Sequence, residues 1–83
     1  MMDEEITTEE AYHCFRIVEN ICKDACELSN KKKFDEMPKD YRYTMFAVVE
    51  CSLTLAMEQS EDVENDIDYI LRGFRKYKEH NKI

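Results

Sequence analysis

The sequence predicts an all-α chain, a small three-helix bundle in which a helical hairpin carries a third packed helix. Three observations predict it. Apolar residues recur at intervals of three and four in three separate stretches. One glycine and one proline among 83 residues leave too little punctuation for a multi-strand fold, which needs a turn every few residues. The most apolar run, residues 43–57, is long for a strand and has no second strand to satisfy its backbone groups. The length makes one domain with one core, built from helices over residues 8–29, 38–58 and 61–79.

The first helix opens at "TTEE". Thr7 as N-cap with Glu10 three residues on forms a capping box, in which each side chain satisfies the other residue's free backbone N–H. Ala11, Cys14, Phe15, Val18, Ile21, Cys22, Ala25 and Leu28 then trace an apolar stripe, widened by Tyr12, Ile17 and Cys26. Ser29 and Asn30 end it, since asparagine tolerates the left-handed backbone. Lys31, Lys32 and Lys33 suit the negative end of the helix dipole.

The second helix is expected to open at Pro38, because proline fits a first helical position. Its body, "YTMFAVVECSLTLAM", holds one charge, Glu50. A helix apolar almost all round is expected to be central and covered on more than one side. The third helix follows Ser60, a candidate N-cap. Val63, Ile67, Ile70, Leu71, Phe74 and Tyr77 form its stripe. Acidic residues crowd its start and basic ones its end, which complements the macrodipole. Gly73 lies beside the stripe, where a close helix crossing accounts for it. The end "EHNKI" is expected to fray.

The net charge is −7 and segregated. Residues 29–43 and 72–83 are net positive, while 1–28 and 44–71 are net negative. This balance argues against direct nucleic-acid binding, which needs a dominant basic footprint. No run of about 18 apolar residues is present to cross a membrane. The acidic start lacks the apolar core of a secretory signal. A cytoplasmic location with free thiols is therefore expected for Cys14, Cys22, Cys26 and Cys51.

Motifs that carry chemistry are sparse. Cys22, Cys26, Cys14 and His13 share the first helix, but not at zinc spacing. Core packing is the better reading for these cysteines. No Ser/His/Asp set, glycine-rich phosphate loop or H-E-x-x-H motif supports an enzyme, and neither a cofactor nor a metal is expected. Glu50 reads either as a buried carboxylate with a raised pKa or, preferably, as part of a narrow solvent-facing stripe. Tyr69, placed on the outer face with Arg72 and Lys76, and the triplet Tyr41, Arg42, Tyr43 can each stack a base and hold a phosphate. Otherwise these are tyrosines resting on neighbouring side chains.

The expected function is that of a small acidic, non-enzymatic interaction protein. It would bind a partner with a basic surface through apolar and acidic helix faces that include Glu50, Glu58, Glu61 and Asp62. Surplus apolar area on the first two helices points to a homodimer or higher homo-oligomer. In size, acidity and glycine content the chain resembles phage-encoded inhibitors of host machinery. The alternative is an oligomer that sequesters a small anionic ligand, such as a cyclic nucleotide, through Tyr41, Arg42, Tyr43, Tyr69, Arg72 and Lys76. The helix–proline turn–helix outline of half the chain is similar to that of phage cyclic-nucleotide sponges, without a motif diagnostic of them.

Overall fold

The computed structural model describes residues 6–81, apart from the side chain of Val63. Three helices pack together: α1 (Thr8–Asn30), α2 (Lys39–Gln59) and α3 (Glu64–Asn81). Single 3₁₀ turns at Phe34–Glu36 and Glu61–Val63 fill the two connections. Among the described residues no strand forms, and no helix is long and apolar enough to cross a membrane.

The local signals at the start of α1 are realised. Thr7 Oγ1 accepts the Glu10 N–H at 3.1 Å and Glu10 Oε1 accepts the Thr7 N–H at 3.0 Å. The other ends differ from expectation by a residue or in their partners. Asn30 stays helical and Lys31 takes the left-handed conformation, at φ 55°, with its N–H on the Glu27 carbonyl. The Asn30 amide is used elsewhere, donating to the Tyr41 hydroxyl at 2.7 Å. Pro38 precedes α2 as its N-cap, and its carbonyl accepts from Arg42 N–H at 3.1 Å. Ser60 is extended between α2 and the second 3₁₀ turn, and its side chain caps nothing. Instead of fraying at Glu79, α3 continues to Asn81, whose side chain bonds the Tyr77 carbonyl at 2.9 Å. Lys82 and Ile83, and the side chain of Val63, lie outside the described residues.

α1 buries Ala11, Cys14, Phe15, Val18, Cys22 and Cys26, a stripe of helical period that faces the rest of the bundle. The three buried thiols pack as small hydrophobes. Burial pushes the Cys22 thiol up to about 11 and raises that of Cys14 as well, so both stay neutral at physiological pH. Cys14 Sγ lies 3.6 Å from the Tyr69 carbonyl, and Cys26 Sγ lies 3.5 Å from that of Lys32. Two members of the expected stripe are exposed: Ile21 by 40% and Leu28 by 84%. Near the C-terminal end of α1 the connection covers only the Cys26 side, through Phe34.

The core centres on an aromatic cluster that contains all four phenylalanines. Phe46 lies with ring centroids 5.5 Å from Phe15, 5.5 Å from Phe34 and 5.8 Å from Phe74. Tyr77 stacks on Phe15 at 4.2 Å. Glu10 meets Tyr69 and Phe15 meets Phe74, so the middle of α3 packs along the first half of α1.

Their close approach depends on Gly73. A Cβ there would sit 2.6 Å from Cys14 Cβ, well inside van der Waals contact. Gly73→Ala gains about 1 kcal/mol of helix propensity, but the overpacking costs typically 1–3 kcal/mol. The expected net result is a lower melting temperature. A Gly73→Ala protein that melts higher than wild type would mean that the crossing is not tight.

The expectation that α2 is central does not hold. Of its residues only Phe46 and Val49 are buried. Glycine and small side chains let α1 and α3 close on each other, and α2 lies along one side of that pair. Its remaining apolar side is left outside.

The outer face of the second helix as a candidate functional site

On α2 the apolar residues divide between two sides. Phe46 and Val49 enter the core, and Met45 and Leu53 rest against it. Thr44, Ala47, Val48, Cys51 and Leu55 point the other way and are exposed. Val48 is 51% and Leu55 56% accessible. Thr44, Val48, Cys51 and Leu55 follow one another at intervals of four, three and four, which keeps them in one line along a helix. Beside this line, Ala47, Glu50, Thr54 and Arg75 close a shallow groove against α3.

Glu50 belongs to neither of its expected settings. Its carboxylate, with 19% of the side chain exposed, accepts from Arg75 Nε at 2.7 Å and Lys78 Nζ at 2.6 Å. It therefore ties α2 to α3. Burial pushes its pKa up, but the hydrogen bonds and charges of Lys78 and Arg75 outweigh that and hold it below the usual carboxylate range. A pKa lowered by folding stabilises the fold above the ordinary value, near 4.5, and the contribution disappears as pH falls through the lowered folded value. Glu50→Gln should cost about 1 kcal/mol at neutral pH and flatten the loss of stability in acid. Urea melts from pH 7 to 3 read this directly, and parallel curves for the two proteins would contradict it.

With Glu50 drawn inward, the outer line of α2 carries no charge until Glu58. Glu58, Glu61 and Asp62 are all exposed at the far end of the helix. None of them forms an ion pair with another described residue. Lys39 and the run Lys31–Lys33 are exposed at the opposite end, together with Asp35, Glu36 and Asp40. The apolar line thus runs from a mixed, net-positive end to an acidic end.

The tyrosine clusters lie apart within one copy of the chain. Tyr41 reaches Asn30 at the end of α1, whereas Tyr69 donates to Glu10 Oε2 near its start, at 3.3 Å. Glu10 and Asn30 are about 30 Å apart at 1.5 Å per helical residue. Tyr69, expected on the outer face, is half-buried against α1. Partial burial raises the pKa of both tyrosine hydroxyls. Arg72 pairs with Asp68 at 3.1 Å, and the Lys76 ammonium donates to the Ile6 carbonyl. In the other cluster, Lys39 Nζ sits 5.5 Å from the Tyr43 ring centre. Arg42 Nε is buried without a hydrogen-bond partner. Among the described residues no three metal-capable side chains converge, and His13 is exposed while Cys14 beside it is buried.

Sequence reasoning overlooked the roles of Val48, Cys51, Leu55, Arg75 and Lys78. A signal for the first three was present in the four–three–four spacing. No protein family matches the chain, and neither a characterised relative nor a solved structure is similar to it.

Proposed function

We propose that this protein is a non-enzymatic interaction module that acts by occupying the surface of another protein. The observation that carries this reading is the bare outer side of α2. Val48 and Leu55 stay 51% and 56% exposed although the core is assembled without them. Covering the exposed half of each is worth about 1 kcal/mol, since full burial of an aliphatic side chain is worth about 1.5–3 kcal/mol, so a contiguous apolar line in water favours a partner. The neighbouring Glu58, Glu61 and Asp62 suit a basic surface, of the kind a nucleic-acid-binding protein presents. Acting this way, the chain would work as phage-type inhibitors of host machinery do.

The test compares baits. Wild type, a Val48→Glu/Leu55→Glu variant and a Glu58→Lys/Glu61→Lys/Asp62→Lys variant are immobilised and challenged with the same cell extract. Proteins retained by wild type should be lost from the first variant and weakened on the second. Identical capture by all three would remove the reading.

A second reading, capture of a small anion, has one observation in its favour. The unpartnered Arg42 Nε lies beside Lys39 and Tyr43 in a pocket floored by Phe15, Phe34 and Phe46. Glu19 and Asp35 line the same pocket and oppose an anion. A nucleotide that binds there would raise the melting temperature with concentration, and a flat response across a nucleotide panel would exclude it.

A further inference from the structure

Resting on the reading of the α2 outer face as a docking surface, we propose that a second copy of this chain occupies it, with the two α2 helices antiparallel. Thr44, Val48, Cys51, Leu55 and Glu58 alternate steps of four and three, the spacing of the a and d positions of a coiled-coil seam. A helix with the same repeat stays in register with such a seam along its length, and a second α2 has it by construction. The seam is short, so the interface falls at the small end of specific ones and the dimer forms by concentration-dependent association.

Charge selects the direction. At one end of α2 the exposed Lys31–Lys33 and Lys39 outnumber the exposed Asp35, Glu36 and Asp40, and at the other lie the exposed Glu58, Glu61 and Asp62. Antiparallel docking lays the basic end of each copy along the acidic end of its mate. Parallel docking sets like charges side by side, which is unfavourable. The middle carries no opposing charge, because Glu50 is held by Arg75 and Lys78 of its own copy. A two-fold axis near Cys51 then pairs Val48 of each copy with Leu55 of the other and brings the two Cys51 side chains together. A basic partner protein would compete with the second copy for the same helix.

Cys51 makes the arrangement readable, since the other three cysteines are buried. Mild oxidation with diamide should convert wild type into a covalent dimer, while Cys51→Ser stays at the mass of one chain. Adding Leu55→Glu should cut the dimer yield about tenfold, the effect of roughly 1.4 kcal/mol of lost association. In a Cys51→Ser background, Val48→Cys and Leu55→Cys chains should cross-link to each other faster than either does to itself. Faster like-with-like cross-linking would overturn the antiparallel arrangement. If Cys51 reacts with a maleimide yet gives no covalent dimer, or if Leu55→Glu leaves the yield unchanged, the second copy is not the occupant. The bait comparison above is independent of these results, so loss of the dimer and loss of the docking face are told apart.

Discussion

Val49→Glu should unfold the protein, whereas the same change one position earlier, Val48→Glu, should leave melting unchanged in dilute solution. Val49 is 8% exposed and belongs to the core with Phe46 and Phe74, while Val48 is 51% exposed on the outer side of α2. Consecutive helical residues point about 100° apart, so one substitution buries a carboxylate and the other presents it to water. An unpaired buried charge costs several kcal/mol. A domain of this size has a total stability of about 4–12 kcal/mol, so the Val49 variant loses most or all of it. Circular dichroism melts below the concentration of self-association make the comparison. Unfolding of both variants would mean that α2 is covered on both sides, and intact melting of both would mean that it is not packed on the bundle.

Phe74→Ala should cost about 3–5 kcal/mol, the usual price of truncating a buried aromatic. Phe74 is fully buried and sits against Phe15 and Phe46, with centroids at 6.2 and 5.8 Å. It is also where α3 meets both other helices. The Lys78 ammonium, 4.9 Å above the ring, loses its cation–π contact at the same time. A urea titration should show a much lower midpoint with a similar slope. The contrast is Tyr12→Ala. Tyr12 is 47% exposed and touches Tyr77 from the rim, so its loss should move the midpoint far less. Equal shifts for the two variants would contradict the placement of the core.

What the residues revealed in advance follows from the range of each interaction. The capping box of Thr7 and Glu10 is an exchange over three residues and is legible without any tertiary knowledge. The stripe of Ala11, Cys14, Phe15, Val18 and Cys22 and the tight crossing at Gly73 were legible for a similar reason: period and side-chain size belong to one helix at a time. Which helices close on each other does not. Periodicity gives faces and not partners, and the apolar character of residues 43–57 therefore pointed to a central rod. In the fold, α1 and α3 meet at Gly73 and leave α2 with one bare side. Glu50 stood out as the one charge of the apolar run, but its partners Arg75 and Lys78 lie on another helix. Their ion pairs draw Glu50 away from the solvent-facing stripe that was the preferred reading and give a pKa shift opposite in sign to the buried-carboxylate alternative. The tyrosines followed the same pattern. Their residue types suited a ligand, but contacts to Asn30 and Glu10 decide what Tyr41 and Tyr69 do in the folded chain.

The central structural claim is that the bare outer side of α2 is the face through which the chain pairs with a second copy. Sedimentation equilibrium on wild type and Leu55→Glu, over a concentration series, tests this most directly. Wild type should rise from the 10.0 kDa chain mass toward twice that value, while Leu55→Glu should stay at chain mass with its helical content intact. Two proteins that remain monomeric at every concentration, or that associate to the same extent, would contradict that pairing.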